Sequence, residues 1–369
     1  MKISIFETEH FEGAFPVIKL FDMPGNEITV LTTPDTHKRF LDLFGKQAKK
    51  FTWALLNNKS KFSFFYSLYK NLRKHKPDVL YLNTISDNHL LYAFVLRMLG
   101  LKRIVMTVHD INCLFESESS WRFRPGIIHR GKRALIKKVN EFNVVADTMI
   151  PYLQTKTGGK KTHNVPGAVF EGHHSFQMLN GPIRIVVPGS LDKRRRDYEQ
   201  VFALAALSEK ENVPLQITLL GGMSDKFGQT VVDRADQSKN MIAYHTYIVD
   251  QDEFDKQMDA AHFVFIPSVI DTKICGDIPE TYGITKSSGN LFDVIKHAKP
   301  FIIPTGLTVS ENLTSSCFKY NNTAEILNFL TKTISTPGLY TQLQNKAVEN
   351  SANYTIENIR ERNTDLFKS

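Results

Sequence analysis

The sequence has only three cysteines among its 369 residues, and it contains no long apolar run. Cys113, Cys275 and Cys317 make no disulfide framework, so we expect them to be unpaired in a reducing, cytosolic environment. A transmembrane helix would need about 18 consecutive apolar residues, and none are found. The N-terminal segment MKISIFETEH becomes charged after five residues, which argues against a signal peptide. The sequence therefore predicts a protein of the cytoplasm or of the inner face of the membrane.

Several motifs with well-known chemistry are also missing. No Cys-x-x-Cys or His-x-x-x-His pair exists, and His173 and His174 form a lone pair in a linker, so no metal site is expected. A G-x-S-x-G nucleophile elbow, a P-loop and a G-x-G-x-x-G dinucleotide fingerprint are absent as well. The chemistry must therefore lie in less familiar patterns.

The composition is that of a globular protein with an excess of positive charge. Hydrophobic residues make up 42% and charged residues 23% of the chain, which argues against disorder. The formal net charge of +8 fits an anionic partner, such as a nucleotide, a nucleic acid or a membrane surface. A chain of 369 residues is too long for one small core, so two domains are expected.

Short β-branched runs alternate with amphipathic stretches, and this pattern starts twice along the chain. It predicts two doubly wound α/β domains with parallel sheets, which face each other across a cleft. We place the first domain at residues 1–175 and the second at 176–344, with a C-terminal helical segment, 345–369, completing the first. The predicted strands are Lys2–Phe6, Glu27–Thr32, Asp78–Asn83, Arg103–Thr107, Asn143–Val145, Ile183–Pro188, Leu215–Leu220, Met241–Tyr244, Phe263–Pro267 and Pro300–Pro304. Ligands of such sheets bind beyond the carboxyl ends of the strands, so functional residues are expected in the loops that follow them.

The strongest candidate site is the segment PETYGITKSSGN, residues 279–290, which precedes a predicted helix over Gly289–His297. Free N–H groups at a helix start, beside small residues, can bind an anion. Lys286 would add a charge, and Glu280 could hold a ligand hydroxyl. The alternative is an ordinary helix start capped by Ser287 or Ser288.

A second candidate is PGSLDKRRRDY, residues 188–198, where a strand ends and four consecutive cations precede a helix. Gly189 would let the backbone approach a ligand. One or two of the cations, Lys193 to Arg196, could contact a diphosphate. The alternative is a solvated basic helix start, although cations there oppose the helix dipole.

Three further positions follow predicted strands. His109 ends a buried strand and could bind a sugar or transfer a proton, or it could be a structural histidine. The backbone near Tyr247 could read a base edge, or it could belong to the core. The loop at residues 7–15, with His10 and Gly13, could meet an acceptor, or it could simply be solvated.

The stretch at residues 38–76 carries eleven Lys or Arg residues against a single acid, Asp42, together with many aromatic residues. The stretch at residues 121–138 has a similar character. Cations interleaved with aromatic residues favour contact with a membrane surface. Single-stranded nucleic acid is a weaker alternative, and the aromatic residues could also be core residues beneath solvated charges. We expect no nucleic-acid partner.

In chain order, these residues resemble the GT-B glycosyltransferases, in particular the retaining family-4-like group. The resemblance covers nearly the whole chain and is most specific over residues 183–304. In that family a Gly-Arg-Leu segment after the first strand of the second domain, with a later lysine, holds the donor diphosphate. Here Gly189, Ser190 and Leu191 match that segment, with Ser190 at the arginine position and Arg195 at the lysine position.

The family also carries two glutamates around a glycine. Glu280 matches the first, which contacts the donor sugar, and Gly283 matches the glycine. Ser288 stands at the second, which usually binds the donor ribose, and Lys286 would replace the missing charge at the phosphates. His109 matches the histidine that lines the transfer site of the family.

The resemblance implies two Rossmann-like domains and transfer of a sugar, with retention, from a nucleotide-diphosphate donor to a glycan or lipid-linked glycan, as in surface polysaccharide assembly. His109 and Glu280 would be catalytic, and His10 and Gly13 would lie on the acceptor side. The implied donor-binding residues are Gly189, Ser190, Arg195, Tyr247, Gly283, Lys286, Ser287, Ser288 and Gly289. No metal or other cofactor is expected, because protein cations would meet the charge of the leaving group.

Two alternatives remain open at this point. The protein could be a non-catalytic relative that keeps the fold as a binding or scaffold subunit, and Ser288 is the best support for that interpretation. It could also be a different enzyme with the same architecture, such as a sugar-nucleotide epimerase or a phosphorylase.

Overall fold

The computed structural model describes residues 1–116 and 123–368, with side chains from residue 125 onward in the second range. It contains two parallel sheets, which occupy different halves of the chain. Both sheets are covered by helices, as parallel sheets are. The strands accordingly read as continuous apolar runs: every residue of the two central strands 79–82 and 104–108 is buried.

The first sheet has seven parallel strands in the order β3-β2-β1-β4-β5-β6-β7. The strands are β1 (Lys2–Phe6), β2 (Glu27–Thr32), β3 (Thr52–Leu55), β4 (Val79–Leu82), β5 (Ile104–Val108), β6 (Glu141–Val144) and β7 (Thr162–Asn164). The five strands predicted in this half are all present. The short edge strands β3 and β7 were not predicted.

The second sheet has six parallel strands in the order β10-β9-β8-β11-β14-β15. A separate antiparallel hairpin, β12–β13, is inserted after β11. The strands are β8 (Ile183–Pro188), β9 (Leu215–Leu220), β10 (Met241–Ala243), β11 (Phe263–Phe265), β12 (Asp271–Cys275), β13 (Ile278–Thr281), β14 (Phe301–Pro304) and β15 (Cys317–Tyr320). Again the five predicted strands are present, whereas the hairpin and β15 were not predicted.

Fourteen α-helices connect or flank these strands in the described part of the chain. Those of the first half are α1 (Phe11–Phe21), α2 (Pro34–Phe44), α3 (Lys61–His75), α4 (His89–Leu99), α5 (Ile111–Phe115), α6 (Phe123–Lys138) and α7 (Ile150–Thr157). Those of the second half are α8 (Tyr198–Lys210), α9 (Lys226–Ala235), α10 (Gln251–Ala260), α11 (Gly289–His297), α12 (Thr323–Ser335), α13 (Leu339–Ala352) and α14 (Ile356–Arg362). None of the described helices is both long enough and apolar enough to cross a membrane.

The C-terminal segment returns to the first half of the chain. Ile359 of α14 and Leu366 are fully buried in the same core cluster as Phe21. Arg360 donates hydrogen bonds to the carbonyl oxygens of Lys19, Leu20 and Asp22, which satisfies acceptors at the end of α1. The last helix therefore packs as part of the first domain.

The strand orders place one topological switch point in each sheet. In the first sheet the chain order reverses between β1 and β4, and in the second sheet it reverses between β8 and β11. In open α/β sheets, ligands bind in the crevice beyond the carboxyl ends of the strands at such a point. The loops after β1, β4, β8 and β11 are therefore the places to look for a site.

Candidate active site

The switch point of the second sheet is built around Gly189 and Arg196. Gly189 follows β8 with φ of +90°, and a β-carbon on it would come within 2.2 Å of Arg196 Nη2. Arg196 is 7% exposed; its Nη1 donates to Ser190 O (2.8 Å) and its Nη2 to Asn290 Oδ1 (2.9 Å). Its Nε has no hydrogen-bond partner among the described residues. The sheet thus holds a buried, fixed guanidinium at its switch point.

Helix α11 begins beside this guanidinium. The helix starts at Gly289, as predicted, and Ser288 in the N-cap position makes no side-chain capping bond. The first N–H groups of a helix lack intrahelical partners and form the positive end of its dipole. Gly289 is exposed and would leave open space around a β-carbon, so a ligand can approach the backbone there. Ser287 is half-buried next to it. This arrangement suits an anion such as phosphate.

The other cations of the segment lie farther out. Lys193, Arg194 and Arg195 are exposed, and both arginines pair with Asp192, at 2.8 Å from Arg194 Nη2 and 3.4 Å from Arg195 Nε. Helix α8 begins only at Tyr198 and is capped by the carboxylate of Asp197. The cations thus occupy a turn before the helix and not its first turn, and three of the four are exposed to solvent, as the alternative interpretation expected.

Two consecutive glycines after β9, Gly221 and Gly222, allow two other loops to pack closely against the end of this strand. A β-carbon on Gly221 would lie 2.0 Å from Gly189 O, and one on Gly222 would lie 1.9 Å from Tyr247 O. The loop that contains Tyr247 is therefore pressed against the end of β9, while the side chain of Tyr247 is 71% exposed. Tyr247 stands at the rim of this edge of the sheet.

The switch point of the first sheet holds a buried carboxylate. Glu7 is 0% exposed; it accepts hydrogen bonds from the His10 N–H (2.8 Å) and from Asn83 Nδ2 (2.7 Å). These bonds fix the loop after β1. Gly13, in the first turn of α1, lies beside Asn83: a β-carbon on Gly13 would be 3.6 Å from Asn83 Nδ2.

His109 adjoins this cluster at the end of β5. Its Nε2 lies 3.2 Å from Asn83 O and 3.4 Å from the Thr84 hydroxyl, and its ring centroid is 6.1 Å from that of His10. Burial, and next the nearby His10, lower the pKa of His109. The ring is therefore neutral near pH 7, and the bond to Asn83 O requires the proton on Nε2. Both predicted histidines, His10 and His109, thus come together with Glu7 at one switch point.

The two predicted sites meet where the domains touch. The carboxylate of Asp110, next to His109, forms an ion pair with Lys286. Ile111 N–H donates to Thr285 O and Asn112 Nδ2 donates to Pro279 O, each at 2.9 Å. These bonds join the start of α5 in the first domain to β13 and to the segment that follows it in the second.

Glu280 lies in this contact. It is 1% exposed, and its Oε1 accepts the Cys113 N–H at 2.7 Å. Its Oε2 has no hydrogen-bond partner in the described part of the chain. Burial raises the pKa of Glu280 to about 7. The carboxyl therefore holds a proton more readily than an ordinary glutamate.

Gly283 follows with φ of +83°, and a β-carbon on it would lie 2.2 Å from Thr308 O. Its backbone is thus pressed against the loop after β14, and its N–H donates to Lys286 O at 2.7 Å. Glycine at this position sets the path of the segment that carries Glu280 and Lys286.

The pairing of the cysteines differs from the prediction. Cys113 and Cys275 form a disulfide, with their α-carbons 5.9 Å apart, so the prediction that they are unpaired is wrong. They lie 162 residues apart in sequence, and only the hairpin β12–β13, packed against α5, brings them together. Cys317 is the one free cysteine of the chain. Within the described ranges, no group of three His, Cys, Asp or Glu side chains could hold a metal ion.

Several residues of the site lie within the predicted segments but were not singled out there. Arg196 was one of four adjacent cations, and only the turn geometry distinguishes it from Arg195. Asn290 follows the predicted Gly289 directly, and Glu7 is the residue directly after β1. Strand ends near a switch point were the available signal, but the sequence alone does not show which strands are neighbours.

Several solved structures share this architecture over the full length of the chain. A glycosyltransferase from Rickettsia africae matches with a TM-score of 0.67 at 12% identity, over 100% of this chain and 97% of the other. Anabaena HepE, in complex with UDP and glucose, matches with a TM-score of 0.67 at 12% identity, over 100% and 99%. UDP-GlcNAc 2-epimerase from Neisseria meningitidis, bound to UDP-GlcNAc, matches with a TM-score of 0.61 at 12% identity, over 100% of both chains.

No protein-family model matches the chain, and the comparison with curated proteins finds no relative. The structural likeness at such low identity shows the fold and does not distinguish the retaining family-4-like group from other GT-B proteins. The chain therefore has the GT-B fold, two Rossmann-like domains with parallel sheets, as the sequence predicted.

Proposed function

We propose that the protein is a glycosyltransferase that takes a sugar from a nucleoside-diphosphate donor. The observation that carries the proposal is the buried Arg196 beside the start of α11, at the switch point of the second sheet. A fixed guanidinium with an unpartnered Nε, next to free helix-start N–H groups, is suited to a diphosphate. Gly189 and Ser190 after β8, together with Ser287, Ser288 and Gly289 at the start of α11, would offer backbone groups to the diphosphate.

The same groups would serve the chemical step. When the bond between sugar and diphosphate breaks, negative charge develops on the leaving phosphate, and preorganised donors there lower the barrier. Arg196 and the helix start supply these donors. Arg195 would add a further donor at the phosphate if its side chain left Asp192. Lys286 would add its charge if its ion pair with Asp110 opened. The countercharge comes from the protein, so the proposal includes no metal and no organic cofactor.

The sugar and the acceptor would lie between the two switch points. We assign Glu280 to the donor sugar and His109 to the transfer site, with His10 and Gly13 on the acceptor side. Gly283 sets the path of the Glu280 segment, and Tyr247 lies at the rim where a nucleoside base would stack. A neutral His109 is suited to accept a hydrogen bond or a proton. The resemblance to the family-4-like group supports transfer with retention.

We further propose that the acceptor is a glycan or lipid-linked glycan of surface polysaccharide assembly, reached at a membrane surface. The basic aromatic stretch divides into two parts: Phe40, Phe44 and Phe51 are core residues, whereas Phe62 and Tyr66 on α3 are 83% and 59% exposed. The neighbouring helix α4 exposes an apolar stripe at the spacing of one helix face. Its members are Leu90 (49%), Leu91 (39%), Phe94 (60%) and Met98 (54%).

Cations flank these apolar side chains. Lys61, Lys70, Arg73 and Lys74 on α3 and Arg97 on α4 are all exposed. Exposed apolar side chains among cations suit the interface of an anionic bilayer. Residues 121 and 122, which begin the stretch at residues 121–138, lie outside the described residues. Nucleic acid is not part of the proposal.

The test is a thermal-shift panel with UDP, GDP, ADP, CMP, TDP and NAD. A ligand at 100 times its dissociation constant stabilises the native state by about 2.7 kcal/mol. We expect one nucleoside diphosphate to raise the melting temperature, and the matching nucleotide sugar to be turned over once an acceptor is supplied. Absence of any shift would contradict the proposal and favour the non-catalytic scaffold.

A further inference from the structure

The disulfide between Cys113 and Cys275 ties the two domains together beside Glu280 of the candidate site. Cys113 lies on α5 of the first domain, and Cys275 ends β12 of the hairpin in the second. Non-covalent bonds surround it: the Cys113 N–H donates to Glu280, Asn112 donates to Pro279 O, and Ile111 donates to Thr285 O. The ion pair of Asp110 with Lys286 completes the set.

These contacts all join residues 110–113 to residues 275–286, so they open or close together. The non-covalent bonds exchange with water when the domains separate, whereas the disulfide does not. Enzymes that enclose a substrate between two domains must open to admit it and to release product. A covalent tie at this place therefore controls how far the cleft can open.

We propose that Cys113 and Cys275 form a redox latch, which holds the cleft closed when oxidised and permits opening when reduced by a dithiol. The consequence for turnover rests on the proposed function, because the ligand that enters and leaves is taken to be a nucleoside diphosphate. The effect of the disulfide on domain opening does not depend on that function.

The chemistry needs a dithiol reductant and balances with it. One thiolate of the dithiol attacks Cys275 Sγ, a mixed disulfide forms, and the Cys113–Cys275 bond breaks with Cys113 leaving as a thiolate. The second thiol then attacks the mixed disulfide, which frees Cys275 and leaves the reductant as its own disulfide. Two electrons pass to the protein, and the two protons of the dithiol end on the two cysteines.

The surroundings of the pair allow this exchange. Both cysteines are half-buried, and Cys275 adjoins the exposed Gly276 and Asp277 at the tip of the hairpin. The ammonium of Lys132 lies 4.0 Å from Cys113 Sγ, where it stabilises a departing thiolate. Cys317 differs, since burial raises its pKa to about 12. Its low reactivity makes it the natural control.

The experiment compares the full chain after oxidation and after reduction with dithiothreitol. Mass spectrometry after alkylation under denaturing conditions counts free thiols, hydrogen exchange follows segments 110–116 and 275–286, and stopped flow measures the release of fluorescently labelled UDP. We expect one free thiol in the oxidised protein and three in the reduced protein. Reduction should speed hydrogen exchange in both segments at least tenfold and UDP release at least threefold.

The variants separate the latch from general effects of reductant. Cys113→Ser and Cys275→Ser should behave like the reduced protein under both conditions, since serine at residue 113 keeps the backbone N–H that Glu280 accepts. Cys317→Ser should respond to reductant as the wild type does. A response in Cys113→Ser as large as in the wild type would contradict the latch.

The remaining outcomes distinguish failure of the latch from failure of the proposed function. Three free thiols in the oxidised protein, or hydrogen exchange and UDP release that reduction leaves unchanged, would overturn the latch while UDP binding could still stand. Absence of UDP binding in both states, with exchange that still depends on reduction, would support the latch and contradict the proposed function.

Discussion

The guanidinium of Arg196 lies against Gly189, so close that a β-carbon on residue 189 would come within 2.2 Å of Arg196 Nη2. Arg195, its neighbour in sequence, is exposed and pairs with Asp192. Two adjacent arginines thus have different environments: Arg196 is buried at the switch point, and Arg195 is exposed beside an acid. This difference gives a direct test of which arginine binds the donor.

We expect Arg196→Ala to weaken UDP binding by about 10- to 100-fold, because a charge-assisted hydrogen bond contributes about 1.5–3 kcal/mol. The matched control is Arg195→Ala, which should change the affinity less than about threefold, as solvent screens its charge. Isothermal titration calorimetry with UDP measures both. Arg196→Ala also removes the hydrogen bonds that Arg196 donates to Ser190 O and Asn290 Oδ1, so circular dichroism must show that the variant is folded. Equal losses for both variants would contradict the assignment.

Gly283 supports a prediction about stability. Its φ of +83° disfavours any side chain, and a β-carbon would also meet Thr308 O at 2.2 Å. Gly338 has φ of +79° but nothing within 4 Å. Gly338→Ala should therefore cost only the backbone strain, about 1–2 kcal/mol. Gly283→Ala should cost a further ~1–3 kcal/mol for the clash. Denaturant unfolding measures both, and equal losses would show that the close approach to Thr308 does not matter.

Glu280 predicts a pH dependence with a definite sign. Burial raises its pKa from the usual 4.5 to about 7, so between these values the folded protein binds a proton that the unfolded chain releases. Stability from this group is therefore complete below about pH 4.5 and falls as the pH rises toward 7. The loss amounts to about 3 kcal/mol or less, since one pKa unit corresponds to about 1.4 kcal/mol.

Glu280→Gln removes this titration while it keeps an oxygen for the Cys113 N–H. Melting temperatures measured from pH 4 to pH 8 should show the variant gaining on the wild type as the pH rises. The control is Glu209→Gln, at an exposed position of α8, whose profile should run parallel to that of the wild type. A parallel profile for Glu280→Gln would contradict this prediction, because it would mean that folding leaves the pKa of Glu280 unchanged.

The sequence was informative wherever local pattern decides structure. Helix α11 begins and ends at the predicted residues, and β1, β2, β8 and β9 have the predicted bounds. Apolar runs bounded by turn residues are enough for that. The two-domain fold followed from the repeated alternation of strand and helix.

Long-range contacts were not available from the sequence. Cys113 meets Cys275 only because an inserted hairpin reaches across to the first domain, and no spacing rule covers a separation of 162 residues. Arg196 differs from Arg195 only through the turn before α8. The charge of Lys286 was assigned to a ligand without knowledge that Asp110 lies beside it. Each of these depends on tertiary geometry that a linear pattern does not contain.

Asp110 and Lys286 should be energetically coupled across the cleft. Their side chains are 23% and 11% exposed, so removing either leaves a largely buried charge without a partner. In a double-mutant cycle with Asp110→Asn and Lys286→Met, we expect a coupling of about 1–3 kcal/mol in the free energy of unfolding. The exposed pair Arg234 and Glu199, at 48% and 75%, is the control and should couple by less than about 1 kcal/mol. Additive single variants at Asp110 and Lys286 would show that the pair does not hold the domains together.

The exposed apolar side chains of α3 and α4 predict binding to anionic membranes. Phe62→Ser and Phe94→Ser each remove an aromatic group that is more than half exposed. Burial of one such side chain is worth up to about 1.5–3 kcal/mol, so each variant should lower the affinity for vesicles of phosphatidylglycerol by about tenfold or more. Binding should also weaken with salt, as the Debye length shrinks from about 10 Å at 0.1 M to about 3 Å at 1 M. Cosedimentation with vesicles measures these changes.

Ile334→Ser, which removes a 45% exposed side chain from α12 in the other domain, is the matched control and should bind as the wild type does. Equal binding to vesicles of neutral phosphatidylcholine, or equal losses in all three variants, would contradict a docking surface on α3 and α4.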